Sequence, residues 1–393
     1  FPVFRLPRPG RFNVSGVTPR RGAPATPARA DLESIWPYVP GRHPLEIERE
    51  YGVDDILKLA SNENPLGASP RALAAARAAL DGSHRYPDGS GTALRQRLAA
   101  RHGVDPAAIT LGAGSNDVLD MVARVFLGPG RNAVFSRHAF AVYPIATRAA
   151  GAESRVAAPH PSDHTDMPYG HDLDAMAAQV DADTRVVFIA NPNNPTGTRV
   201  ARGELQAFLE GLPGHVVAVV DEAYSEYVDD PDFPDATAWL AAMPNLVVTR
   251  TFSKIFGLAG LRCGYGLSSP AIAELLNRVR HPFNVNNAAL AAAGAALDDE
   301  AFVAESAAMN RRGLVQLADG LRALGLEPIP SVANFLAVDV GRDAATVYAA
   351  LLERGVIVRP IAGYELPNHL RITVGSGPEN RQLLQALGEV LAA

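Results

Sequence analysis

LVVTRTFSKIFGLAGLRCGY, residues 246–265, is the stretch whose reading decides the fold. Its opening, Leu246 to Val248, is an apolar run that reads as a buried strand, and Thr251, Ser253 and Lys254 follow where that strand ends. In open α/β sheets, ligands bind outside the carboxyl ends of the strands. Two hydroxyls, one amine and the Arg262 guanidinium would then suit a single ligand that bears a phosphate and an aldehyde. Thr251, Ser253 and Arg262 suit the dianion, and Lys254 is a candidate Schiff-base amine. Taken alone, the stretch also fits a solvated lysine beyond a strand.

Three further stretches have the same form. HVVAVVDEAY, residues 215–224, is a β-branched run that ends in Asp221 with Tyr224 just beyond it. Asp221 can keep a pyridine nitrogen protonated and Tyr224 can donate to a phenolic oxygen, although DEAY also reads as the cap of a following helix. RVVFIANPNNPTG, residues 185–197, runs from an apolar strand into a loop that proline and glycine force out of regular structure. Asn194 in that loop can reach the same phenolic oxygen, or be part of a plain turn. ITLGAGSNDVLDMVARVF, residues 109–126, reads as strand, glycine loop and helix, with Val118, Val122 and Val125 at helical spacing. Gly114, Ser115 and Asn116 would offer backbone N–H groups to a phosphate at the helix N-terminus. The loop matches neither the dinucleotide nor the nucleoside-triphosphate pattern.

Composition narrows the class. The chain has 393 residues, 47% of them hydrophobic and 20% charged, an ordinary globular profile with room for two or three domains. A net charge of −6 leaves no footprint for nucleic acid, and no apolar run is long enough to span a bilayer. The single cysteine, Cys263, excludes an intrachain disulfide and suits a reducing cytoplasm; it reads as a small buried thiol. His160, Asp163, His164 and Asp166 sit in a polar, proline-bearing loop with nothing to make them converge, so no metal site is expected. Residues 1–30 hold six arginines, six prolines and no acid, and read as an arm or disordered extension.

The order glycine loop, PNNPTG, DEAY, then SK with a following arginine resembles the fold-type I pyridoxal-phosphate aminotransferases. More narrowly, the chain is similar to the histidinol-phosphate aminotransferase family. YVPGRHPLEIEREYG (38–52), LASNENPLGASP (59–70), RYPDGSGTALRQRLA (85–99) and VIVRPIAGYELPNHLRITVG (356–375) carry that likeness, which runs from about residue 31 to the C-terminus.

The resemblance implies an α/β fold with a mostly parallel sheet. Residues 60–280 would form the large cofactor-binding domain, and 31–59 with 281–393 a smaller α+β domain. It implies pyridoxal 5'-phosphate, borne by Lys254, with Asp221 at the ring nitrogen and Asn194 and Tyr224 at the phenolic oxygen. Phe140, in HAFAVYP, would stack on the ring where many relatives have tyrosine. Gly114, Ser115, Asn116, Thr251, Ser253 and Arg262 would hold the phosphate, with Tyr86 reaching in from the other subunit of a homodimer. Arg371 matches the arginine that grips an α-carboxylate, while Arg359 and Tyr38 fall where the family recognises the phosphate of histidinol phosphate. Ping-pong transamination of histidinol phosphate with 2-oxoglutarate, in histidine biosynthesis, is the implied activity, with small-molecule partners only. An aromatic amino-acid aminotransferase, a phosphothreonine decarboxylase and a non-catalytic ligand-sensing regulator are the alternatives.

Overall fold

The structure is a computed structural model that describes Arg29, Leu32, Ile35, Pro37, Tyr38 and residues 40–393. The expected arm over residues 1–30 lies outside the described residues, Arg29 excepted. In chain order the strands are β1 (Leu57–Lys58), β2 (Ile109–Gly112), β3 (Asn132–Ser136), β4 (Glu153–Ala157), β5 (Thr184–Ala190) and β6 (Val217–Asp221). They continue with β7 (Leu246–Thr251), β8 (Gly264–Ser268), β9 (Phe335–Asp339), β10 (Val356–Ile357), β11 (Arg359–Pro360) and β12 (His369–Thr373).

Seven of these form one sheet in the order β2-β8-β7-β6-β5-β3-β4. β8 is antiparallel to both its neighbours, and the other pairs are parallel. The continuous apolar runs follow from burial of both faces. Val186, Phe188, Val217, Val219 and Val247 face one cluster, together with Val118, Met121 and Val122 of helix Ser115–Phe126. Val187, Ile189, Ala218, Val220 and Val248 face the other, with Leu205, Phe252 and Ala292. Each buried Val, Ile, Leu, Met or Phe among them contributes about 1.5–3 kcal/mol by leaving water, so the two-sided pattern pins the strand register.

A three-stranded antiparallel sheet, β11-β12-β9, packs with helices Glu300–Ala323 and Gly377–Ala392 around Leu317, Leu336, Val338, Leu370 and Leu383. The segment ATVYAALLERG reads as helical up to Gly355, but the helix ends earlier, at Leu352. Tighter three-residue bonds, Arg354 N to Leu351 O and Gly355 N to Leu352 O, close its last turn before Gly355 at φ +72°. β1 pairs in parallel with β10 and so leads residues 59–63 across the carboxyl ends of β6 and β7.

Candidate active site

A cavity of about 250 Å³ opens where β5, β6 and β7 end. Asp221 is the last residue of β6 and is 4% exposed. Tyr143 Oη donates to one of its oxygens at 3.1 Å and Thr249 Oγ1 to the other at 3.0 Å. Burial pushes its carboxyl up to about 6, against the pull of those hydrogen bonds. Among the described residues it has no ion-pair partner within 4 Å.

Lys254 lines the same cavity three residues beyond β7. Its Nζ donates to Ser61 O at 3.2 Å and lies 5.5 Å from the centre of the Tyr224 ring. Burial, then the nearby Arg371 guanidinium, push the amine down to about 8. No carboxylate is paired with it among the described residues. Tyr224 is 4% exposed, and burial raises its phenol to about 12, so its proton is retained at neutral pH. Asn62 Nδ2 donates to Tyr224 Oη at 2.9 Å, which leaves the phenolic hydrogen free to be given away.

The phosphate-suited residues gather at one end. Thr251 Oγ1 donates to Ser253 Oγ at 3.0 Å, and Arg262 Nη1 reaches Ser253 Oγ at 3.2 Å. Opposite them, helix Ser115–Phe126 begins at Gly114 with no side-chain cap, so its first N–H groups are left for a ligand. Gly114 has φ +91°, and a Cβ there would lie 2.5 Å from Arg262 Nη2. Gly264, at the start of β8, is as tightly constrained: its Cβ would fall 2.4 Å from Ser115 N. Both positions demand glycine for close approach.

At the other end, Arg371 on β12 is 5% exposed and donates to Asn194 Oδ1 and, at 2.8 Å, to Ala60 O. Its Nε is buried without a partner. Asn194 lies in a loop that contains two cis peptide bonds, Asn191–Pro192 and Asn194–Pro195. Phe140, Asn116 and Tyr38 complete the lining.

Two expected residues stand apart. Arg359 is paired in register with Arg371, and its guanidinium lies 5.5 Å from the Tyr38 ring centre without lining the cavity. Tyr86 is 80% exposed and stacks on Phe283 at 4.6 Å, away from the cavity. Sequence reading gave no role to Asn62, Tyr143 or Thr249. Thr249 carried a signal, being the hydroxyl that ends the apolar run Leu246 to Val248 and lying on the same side of the strand as Thr251. Asn62 lay in a quoted motif, but its left-handed conformation, φ +56°, was not legible there. Tyr143 reads as one more core aromatic.

The arrangement suits a ligand with a phosphate at one end, an aldehyde near Lys254 and a basic ring nitrogen near Asp221. Comparison with known proteins agrees with that chemistry. The family model described as Aminotransferase class I and II matches residues 54–387. The chain belongs to this family. The aminotransferase is 57% identical over 367 residues to histidinol-phosphate aminotransferase 2 of Pseudomonas aeruginosa, covering 93% of this chain and 98% of that one. It is 56% identical over 360 residues to the like-named protein of Methylococcus capsulatus, with coverages of 92% and 97%. Among solved structures it matches the histidinol-phosphate aminotransferase of Sinorhizobium meliloti in complex with pyridoxal 5'-phosphate. The TM-score is 0.84 at 30% identity, covering 94% of this chain and 98% of that one. The aminotransferase therefore has the fold-type I α/β architecture expected from its strand-end loops.

Proposed function

We propose that this enzyme exchanges the amino group of histidinol phosphate with 2-oxoglutarate, by way of pyridoxal 5'-phosphate, as a step of histidine biosynthesis. The observation that carries the reading is that one cavity holds a half-buried amine and a buried carboxylate, neither of them in an ion pair within 4 Å among the described residues. A cofactor with an aldehyde carbon for the amine and a basic ring nitrogen for the carboxylate answers both. The 57% identity to a histidinol-phosphate aminotransferase supports the choice of substrate.

Lys254 would hold the cofactor's aldehyde carbon and, as a free amine, would take a proton from the substrate carbon as base and give it back as acid. Burial and the Arg371 guanidinium already push its amine down to about 8 without a ligand, which favours the neutral form that takes a proton. When bound, pyridoxal 5'-phosphate supplies the electron sink for the carbanion. Asp221 would keep the ring nitrogen protonated. Tyr224 and Asn194 would hold the phenolic oxygen, and Phe140 would cover a face of the ring. Ser115 and Asn116, with Gly114 allowing the approach, would hold the phosphate together with Thr251, Ser253 and Arg262. Arg371 binds the carboxylate of glutamate, and Arg359 with Tyr38 binds the phosphate of histidinol phosphate.

Homodimeric assembly belongs to the same proposal. Tyr86, Phe283 and Leu80 are exposed aromatic and apolar side chains, and a small-residue hollow of about 430 Å³ lies among helices Pro70–Leu80, Thr92–His102 and Asn287–Leu297. A second copy would cover them and bring its Tyr86 to this phosphate. We also assign residues 60–280 as the cofactor-binding domain and 31–59 with 281–393 as the smaller one, and place the enzyme in the cytoplasm. No helix among the described residues is long and apolar enough to cross a membrane. A donor screen with purified enzyme tests the substrate: preference for phenylalanine or tyrosine, or release of carbon dioxide from phosphothreonine, overturns it.

A further inference from the structure

Asp221 is held by side chains that do not enter the cavity. Tyr143 is 1% exposed and absent from the lining, yet its hydroxyl reaches the Asp221 carboxylate at 3.1 Å. Its ring lies flat on Phe188, centres 4.8 Å apart and 8° between planes. It stands at 90° to Phe140, 5.9 Å away, and Phe140 does line the cavity. Helix Val142–Ala149 thus supplies one block that touches both the ring-covering wall and the carboxylate.

A phenol has a single hydrogen to give. Burial, then the charge of Asp221, raise Tyr143 well above the ordinary phenol range, so it stays a donor. The other groups facing Asp221 are Thr249 on β7, the Ala223 N–H and Tyr224 beyond β6, and the Lys254 ammonium. Thr249, Ala223, Tyr224 and Lys254 all belong to the two central strands or the turns just after them. Tyr143 is the donor that comes from a covering helix, and can therefore fix the carboxylate's tilt relative to Phe140.

We propose that Tyr143 is a positioning residue that keeps Asp221 ionised and aimed at the cofactor's ring nitrogen while tying it to the Phe140 wall. The aim toward that nitrogen rests on the function proposed above. Tyr143 keeps its proton and touches no reacting atom; its hydroxyl acts through Asp221.

The variant Tyr143→Phe removes one oxygen and keeps the stacked ring. In cofactor-free protein, the Asp221 titration is read as the pH-dependent difference in urea stability between each protein and its Asp221→Asn counterpart. A hydrogen bond to a charged group corresponds to about one to two pH units, so the midpoint should rise by that amount from about 6. Pyridoxal 5'-phosphate, titrated by absorbance at pH 7, should bind Tyr143→Phe about ten- to a hundredfold more weakly. In the Asp221→Asn background the same change should cost little. As a second variant, 3-fluorotyrosine placed at position 143 keeps the fold and is a stronger donor, so it should move the midpoint down.

An unmoved midpoint in both variants overturns the proposal. So does an equal loss of cofactor affinity with and without Asp221, which is the mark of packing alone. Should the midpoint move while Asp221→Asn leaves cofactor affinity intact, Tyr143's hold on Asp221 stands and the ring-nitrogen role of Asp221 falls instead.

Discussion

Replacing Lys254 with methionine should make the cofactor-free protein more stable at neutral pH, although it abolishes transamination. An unbranched apolar chain of similar length fills the space without a charge. The amine sits at about 8 in the folded protein against 10.5 for an unhindered lysine. Between those values the unfolded chain binds the proton and the folded one does not, so wild-type stability rises with pH across that window. Below pH 8 both forms are protonated and the folded state carries the whole penalty of a poorly solvated ammonium near Arg371. The difference of roughly 2.5 pKa units, at about 1.36 kcal/mol each, sets that penalty at up to about 3 kcal/mol. Losing the contact to Ser61 O reduces the gain by about 1 kcal/mol. Urea denaturation of both cofactor-free proteins from pH 6 to 11 reads the effect. Lys254→Met should lead by about 2 kcal/mol at pH 7, with the gap closing as pH rises from 8 toward 10.5. A gap that is independent of pH, or a variant that is the weaker at pH 7, would refute the reasoning.

Three other outcomes follow from the same geometry. Gly264→Ala should cost about 1–3 kcal/mol in thermal or urea unfolding and weaken cofactor binding, because its methyl meets the Ser115 backbone rather than a movable side chain; Gly260→Ala, with open space around it, is the control. Mixing Lys254→Ala with a Tyr86 variant should restore activity after subunit exchange, since one heterodimer site then has both native residues; no recovery in demonstrated heterodimers removes Tyr86 from the site. Arg359→Ala should weaken histidinol phosphate by roughly ten- to a hundredfold in single-turnover kinetics and glutamate less, whereas Arg371→Ala should damage both half-reactions. Equal losses for the two donors in Arg359→Ala would end the case for a dedicated phosphate contact.

The large sheet was legible because burial on both faces gives β5, β6 and β7 apolar cores, Val186 to Ala190, Val217 to Val220 and Leu246 to Val248, with polar residues close behind each. The strand-end polar residues then name most of the cavity, since parallel strands deliver all their carboxyl ends to one edge. What the sequence concealed is whatever depends on contacts distant along the chain. Tyr143 meets Asp221 across 78 residues, and Asn62 meets Tyr224 across 162, with no local pattern to announce either. The early stop of the helix at Leu352 was hidden for a different reason. Glu353 and Arg354 are good helix formers, and the left-handed Gly355 sets the tighter last turn.

The strip formed by residues 59–63 has a consequence for how the protein is made. Ala60 O accepts from Arg371 and the Asn62 N–H donates to Thr373 Oγ1, each contact spanning 311 residues, while Ser61 O accepts from Lys254. A chain still emerging from the ribosome has synthesised its lysine, its carboxylate and its phosphate cup more than a hundred residues before Arg371 exists. Ala60 O and the Asn62 N–H have to wait until β12 arrives to close over them. Loop closure on that scale comes late, so the Arg371 end of the cavity closes only after the residues that carry Asp221 and Lys254 have long been made.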